Sequence, residues 1–427
     1  RELPLVNGSV ARNKNWAIYN TDNNTDVTDQ CTSTVACNEI ALPTNPDKVS
    51  LELAGNTTVK FKVEKPTTLW QSKTSDIAQF YNNQNYSTGE HQIEVKENVY
   101  LFTQPNALSE IKIESAGNVK GIELTSVPDL KTLTLKEAGK LQSLNITRQT
   151  ALTSLIVTKA KDLSSLDISK NTKLTNLEVT KCGLTGSLDF SSHNALTEVN
   201  LFTNALSSVR LGNAITEIQV SYNQLTTLDL TPATGLKKLL AYNNRLTEIT
   251  LAADKSKYEY IDIERNALVA FDLQNAVNLG TLLIHTNPTL SNLNLRGCAK
   301  LRELSINDCK AFKEIQKPGE DAWFLDGCNA LRKLKVYNTG LNATELTKLY
   351  CKLPKLSANA GELRVVDKDN ADNLKEALKS GTKIAVDKGW KVLDKNENSF
   401  EGDKNRTCDD LKPHDVPVIE LVAAAVR

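Results

Sequence analysis

The sequence predicts a repeat solenoid with a parallel β-sheet along one edge, preceded by a small β domain and closed by a cap of helices and strands. Three observations carry that expectation. An apolar-x-x-apolar-x-apolar pattern recurs about every 11 residues over more than half of the 427-residue chain. Alternate copies differ systematically, so two of them make one coil of about 21–22 residues. Outside the array the period changes, to strand-like alternation before it and helical spacing after it.

Residues 1–48 are rich in Asn and Thr and are expected to form an extended leader. Cys31 and Cys37 are close enough in sequence to close a loop in an oxidising compartment, or to remain free thiols. From 49 to 106, VSLELAG, TTVKFKVEK, TTLWQSK and HQIEVKENVYLF alternate with period two and are divided by Asn, Pro and Gly turns. This reads as a β-sandwich-like N-terminal domain running straight into the first coil, where it also covers the open end of the array.

The array occupies 107–341. Its units begin at Leu108, Val119, Leu130, Leu141, Leu152, Leu163 and Leu174, and continue from Leu196 through Leu301. One class of half-unit reads L-x-x-L-x-L-x-x-N/C-x-L, as in LTNLEVTKCGL from Leu174, LTEVNLFTNAL from Leu196 and ITEIQVSYNQL from Ile215. Its ninth position holds Asn204, Asn223, Asn244, Asn266 and Asn287, with Cys182 and Cys309 beyond the two ends of that run. An inward amide can both donate to and accept from loop backbone, so a repeated Asn builds a structural ladder along the axis. These half-units are expected to form the concave sheet. LTTLDL, LTEITL, LVAFDL and LSNLNL should be the short convex segments, with Cys298 at the convex counterpart of the ladder. Three irregularities stand out: a span two residues short at Leu211–Ile215, one extra residue in LTGSLDF, and a break at Phe312–Cys328 with a Pro318-Gly319 turn and Trp323.

With that consensus the chain resembles the leucine-rich repeat family from about Leu108 to Leu341. It looks most like the short two-segment repeats of surface proteins from Bacteroides-like bacteria, and is similar to a Cys-containing internalin type. The resemblance implies a right-handed superhelix and an exported, cell-surface protein; whether the full-length precursor carries a lipid anchor is left open by the sequence. It further implies adhesion or host interaction as the role.

The C-terminal cap is expected at 342–392. Asn342 is placed to cap a helix with Glu345 three residues on, and Leu346, Leu349, Tyr350 and Leu353 follow at helical spacing before Pro354. A second helical pattern covers Asn373–Lys379 and stops at Gly381. Residues 393–427 read either as an extension packed on the cap or as a tail, and Cys351 and Cys408 could tie the two together.

Lys plus Arg and Asp plus Glu balance at 51 each, which removes the electrostatic footprint of a nucleic-acid binder. The longest apolar run, Val416–Val426, is broken by Pro417 and Glu420 and is too short to span a membrane. No secretion signal opens the chain, so export is inferred rather than read. The four histidines, His91, His193, His285 and His414, lie apart, without metal-ligand spacing to one another or to Cys. No nucleotide, zinc-protease or serine-hydrolase motif is present, and no cofactor or metal is expected.

What remains is a row of large side chains expected to face solvent on the concave strands: Phe202, Tyr222, Tyr242, Tyr260, His285 and Tyr337, with Leu240 and Leu283 beside them. The equivalent convex positions carry no aromatic. Such a row is costly for solubility and typical of a binding surface, here for a protein or glycan. Glu178, Glu198 and Glu217 lie to one side, Asp262 and Glu264 in the middle, and Lys333 and Lys335 at the far end. The expectation is a non-enzymatic binding protein. A structural envelope protein without a ligand is one alternative. An enzyme using Glu264 and His285 as an acid–base pair is the other.

Overall fold

Alternation in Asp47–Leu53 buries Val49, Leu51 and Leu53, and alternation in Thr57–Val63 buries Val59, Phe61 and Val63. The computed structural model describes residues 46–411 apart from 76, 78–79, 125–126 and 317–321. The Cys31–Cys37 loop, Pro318-Gly319, His414 and the apolar run from 416 therefore lie outside the described residues. Two compact units make up the chain: one runs to Gly186 and includes Ser192–Ala205, the other comprises Ser187–Ser191 and everything from Leu206.

In the first unit the strands form two sheets. One runs Phe80–Tyr86, Thr67–Ser72, Val99–Thr103, Asp47–Leu53, Val119–Leu124 and Ser143–Asn145. The other starts Gly89–Val95, Thr57–Val63, Leu108–Ile113 and continues through Thr132–Leu135, Ser154–Thr158, Asn176–Thr180 and Glu198–Asn200. Pairing is antiparallel up to Leu108–Ile113 and parallel beyond it. Likewise Val119–Leu124 pairs antiparallel with Asp47–Leu53 and parallel with Ser143–Asn145. There is thus no seam at residue 106: the two sheets of the β domain become the two edges of the coils. Buried Asp47 fastens the junction, its carboxylate accepting the N–H groups of Asn106 (2.9 Å), Ala107 (3.0 Å) and Leu108 (3.4 Å). An antiparallel sheet at this end occupies the strand edge that a bare coil would leave open.

In the second unit Glu217–Gln219, Lys238–Leu240, Tyr260–Asp262, Thr281–Leu283, Glu303–Ser305 and Lys333–Lys335 pair in parallel in that order. In each coil the first, fourth and sixth positions point inward and are buried, as with Leu236, Leu239 and Ala241, or Leu279, Leu282 and Ile284. Short pairs on the opposite edge include Thr227–Asp229 with Glu248–Thr250 and Ala270–Asp272 with Asn292–Asn294. The break at Phe312–Cys328 is an insertion that returns to phase. Phe312, Ile315, Trp323, Phe324 and Leu325 are all buried, and Leu295 N–H donates to Phe324 O at 2.8 Å, resuming the opposite edge.

Asn342 Oδ1 accepts Glu345 N–H at 2.9 Å and starts the helix Ala343–Lys352, which buries Leu346, Leu349 and Tyr350. The strands Gly361–Val366 and Trp390–Asp394 extend the parallel sheet, with helices Ala371–Leu378 and Thr382–Asp387 between them. As far as residue 411 the segment after 392 packs on this cap. Phe400 is buried, Arg406 donates to Thr344 Oγ1 (2.9 Å) and Lys379 O (3.1 Å), and Cys408 is disulfide-bonded to Cys351. That cross-link spans 57 residues, so opening it restores considerable freedom to the unfolded cap. Cys408→Ser should therefore cost about 2–4 kcal/mol. Protease sensitivity of the cap under native conditions checks this; unchanged resistance would mean that packing alone holds the segment.

Candidate functional site

In each coil the eighth residue has left-handed backbone: Glu137, Lys159, Lys181, Thr203, Tyr222, Asn243, Arg265, Thr286, Asp308 and Asn338 all have φ between 53 and 62°. That single twist ends the strand and turns the ninth side chain inward. Asn266 shows what it does there. Its Nδ2 donates to Ala241 O (3.1 Å) of the preceding coil and to Ile263 O (3.0 Å) of its own, while its Oδ1 accepts Leu246 N–H at 3.0 Å. Asn204, Asn244 and Asn287 repeat this scheme one coil at a time, and Asn223 accepts Leu206 N–H at 3.0 Å. Cys182 and Cys309 occupy the same slot, their thiols directed at Val157 O (3.6 Å) and Ile284 O (3.5 Å). Burial pushes those thiols up to about 11 and about 12, which makes them poor nucleophiles at neutral pH.

Leucine side chains at fixed spacing, a left-handed eighth residue and an inward Asn at the ninth together settle the architecture. The fold is a leucine-rich repeat solenoid. No family model and no curated protein sequence matches the chain. Solved structures that are similar include the functional domain of InlJ from Listeria monocytogenes, which includes a cysteine ladder; identity is 19% over 66% of this chain and 74% of that one, with a TM-score of 0.31. A leucine-rich repeat protein of Leptospira interrogans matches at 18% identity over 60% and 77%, with a TM-score of 0.30. An internalin, inlF, from Listeria monocytogenes matches at 14% over 63% and 85%, with a TM-score of 0.32.

On this leucine-rich repeat solenoid the large side chains of the long-sheet face do not form one row. The backbone ladder defines the columns, because Tyr222 N–H donates to Tyr242 O, Asn243 N–H to Glu264 O and Arg265 N–H to His285 O. Tyr222 is therefore an eighth-position residue, level with Asn243, and Ser221 is the true counterpart of Tyr242. Tyr260 sits at the third position, at the other end of its strand. The expected alignment of three tyrosines fails because Ile215–Asn223 places its ring one residue later than Leu236–Asn244 does. The exposure differs too. Tyr222 is 48% exposed, whereas Leu240, Tyr242, Tyr260, Leu283, His285 and Tyr337 are half-buried. Phe202, in the first unit, is half-buried as well.

The structure does bring several of them together. The rings of Tyr222 and Tyr242 meet edge-to-face with centroids 5.5 Å apart. Ser221 is fully buried and small, and its Oγ accepts Tyr242 N–H at 3.0 Å, which fixes the backbone carrying the second ring. Strand register sets Asp262 level with Leu240 on one side and Leu283 on the other. Glu264 and His285 share the seventh column and meet through Oε2 and Nε2, and His285 Nδ1 lies 3.0 Å from Thr286 Oγ1. With both ring nitrogens engaged, His285 is poorly placed to take a proton from a substrate. Tyr337 lies apart, two strands beyond His285, among Asp308, Arg364, Asp367 and Lys395.

Electrostatics single out Asp262. It is only 8% exposed, and burial, reinforced by the Glu264 charge, raises its carboxyl to about 6. Glu264 moves the other way, held down by the hydrogen bond from His285 against the cost of burial. Tyr242 and Tyr260 are both raised, first by burial and then by Asp262, so they stay protonated at neutral pH. Further along the face the cations are paired: Lys333 with Glu303 at 3.0 Å, and Arg364 with Glu362 at 2.7 Å and Glu397 at 2.6 Å.

A second ladder, of which the sequence reading has Cys298 alone, runs along the other side of the coils. On the opposite edge Gln149 Nε2 donates to Leu124 O (2.7 Å), Asn171 Nδ2 to Ile146 O (2.9 Å), and His193 Nε2 lies 3.1 Å from Ile168 O. Cys298 and Cys328 continue it, directed at Leu273 O (3.3 Å) and Leu295 O (3.2 Å). The signal was there: LQSLNITRQ and LSSLDISKN carry a polar ninth residue just as the Asn class does. Its changing identity (Gln, Asn, His, Ala, Cys) hid it. No helix among the described residues is long and apolar enough to cross a membrane.

Proposed function

We propose that this protein is a non-enzymatic binding protein whose long-sheet face in the second unit takes a protein or glycan ligand around Tyr222 and Tyr242. One observation carries the reading: a tyrosine, 48% exposed, stands at a left-handed position (φ 55°). A bulky residue there costs about 1–2 kcal/mol relative to ordinary backbone, where Asn or Gly would cost less. The ring packs edge-to-face on Tyr242 and still leaves nearly half of its surface open, and large half-exposed aromatics are the usual anchors of interfaces. An exported, cell-surface setting, with adhesion or host interaction as the role, is part of the same proposal. The Cys351–Cys408 bond supports it, because stable disulfides belong to oxidising compartments.

Tyr222→Asn gives the test. The melting temperature should hold or rise, because Asn suits the left-handed position, while binding should weaken by about 1–3 kcal/mol. Wild type, Tyr222→Asn and the opposite-edge control Thr250→Ala would be run in parallel on a glycan array and in capture from host extracts. A ligand held by wild type and Thr250→Ala but lost by Tyr222→Asn supports the proposal. Equal retention by all three would move the site elsewhere. No retained ligand at all would favour a structural envelope role.

A further inference from the structure

Asp262 is a carboxylate placed where a carboxylate is expensive. It is more than nine-tenths buried, yet its only hydrogen bond is to Glu264 N–H, at 3.3 Å to Oδ1; Oδ2 has no partner among the described residues. The groups facing it are Tyr260 and Glu264 on its own strand, Leu240 and Tyr242 on one side, and Leu283 and His285 on the other. The surrounding cations are occupied elsewhere. Lys238 lies 3.8 Å from Glu217, Arg265 is 3.7 Å from Glu264, and His285 is on Glu264. Asp262 and Glu264 balance His285 and Arg265 when the imidazole is charged and leave one net negative charge when it is neutral, but both cations lie on Glu264 and neither reaches Asp262.

We infer that the ligand's anchor is an arginine or lysine side chain of a protein partner, seated over Asp262 against the Tyr242 and Tyr260 rings. This rests on the face being the binding site, as proposed above. A cation is the one group that relieves all three features at once. It neutralises a poorly solvated carboxylate, supplies donors to the open Oδ2, and lies favourably on aromatic faces. Guanidinium does this better than ammonium, since its planar fork both stacks and reaches a carboxylate with two N–H groups. A neutral sugar would supply donors without the charge.

The carboxylate should be kept for binding at the expense of stability. Its carboxyl titrates near 6 when folded and near the ordinary 3.8 when exposed, so ionisation opposes folding. That opposition is absent well below pH 4, grows between the two values and is complete above pH 6. Asp262→Asn should therefore melt at a higher temperature than wild type at pH 7.5, with the gain disappearing toward pH 4.

The experiment uses the full chain with Leu methyl groups labelled for NMR, since the Leu240 and Leu283 methyls flank the site. Probes are Gly/Ser heptapeptides with Arg, Lys, citrulline or Glu at the centre, and methyl glycosides of glucose, galactose and mannose. The Arg and Lys peptides should shift both methyl signals at concentrations about tenfold lower than the neutral citrulline peptide, and Asp262→Asn should erase that preference. Equal response to citrulline and Arg, a preference that survives Asp262→Asn, a response to glycosides alone, or no response to any probe overturns the inference. So does an Asp262→Asn chain that melts lower than wild type at pH 7.5. If Tyr222→Asn still loses a captured ligand in those cases, the binding face stands and only the cation anchor fails.

Discussion

Deleting everything after Leu341 should turn the protein into an aggregate. Gly361–Val366 lies against Lys333–Lys335, pairing Leu334 with Leu363. Val336 N–H donates to Arg364 O at 2.9 Å, and Glu362 N–H to Arg332 O at 2.7 Å. Leu331, Leu334 and Val336 are fully buried, and Leu341 nearly so. Truncation leaves the last coil with an open strand edge beside a fresh apolar face, the combination that templates pairing with other chains. Terminal repeats need a polar cover, and here the helix Ala343–Lys352 and the strands behind it are that cover. Size-exclusion chromatography should show the 1–341 chain in the void volume or insoluble. A soluble monomer with a cooperative melt would mean that the solenoid ends in a self-sufficient coil.

Asn266→Ala should be among the most destabilising single changes in the array. The substitution strips a partner from Leu246 N–H, Ala241 O and Ile263 O, all inside the second unit. Leu246 N–H is left buried and unpaired, at about 1–3 kcal/mol, while Ala241 O keeps Asn244 Nδ2 and Ile263 O keeps Asn287 Nδ2, so with the two lost amide bonds the total is roughly 2–4 kcal/mol. Its neighbour makes the control. Arg265, one residue earlier, has an exposed side chain and a left-handed backbone, and Arg265→Asn should change stability by no more than about 0.5 kcal/mol. Urea unfolding of the two variants decides between them. Equal midpoints would show that the inward position had been assigned one residue out of phase.

The site was legible only in part. Glu264 and His285 could be placed in one column from sequence, because both stand at the seventh position after an unambiguous Leu or Tyr start. The same count separates the tyrosines: ITEIQVSYN puts Ser221 seventh and the Tyr222 ring eighth, whereas LKKLLAYNN puts Tyr242 seventh, so a row of rings assigned strand by strand overlooks an offset that the positions contain. Sequence does not show that Leu240 and Leu283 wall in Asp262, since side chains on separate coils become neighbours only through strand register.

Periodicity alone determined the solenoid, the inward leucines and the Asn positions, because each coil repeats one local solution and backbone pairing with the next copy follows from it. It also located the capping helix, whose start is written in Asn342 and Glu345. Tertiary structure decided what has no local cause. The β domain's sheets merge with the coils through pairings such as Phe61 with Ile111, 50 positions apart in sequence. The segment after 392 is held by Cys408 on Cys351 and by Arg406 on Thr344. Asp47 in the β domain and Asp394 in the cap are as buried as Asp262, yet they accept backbone N–H groups from neighbouring turns, and such surroundings are not local: a carboxylate's cost of ionisation depends on the dielectric, donors and charges that folding places around it, which one strand's sequence does not contain.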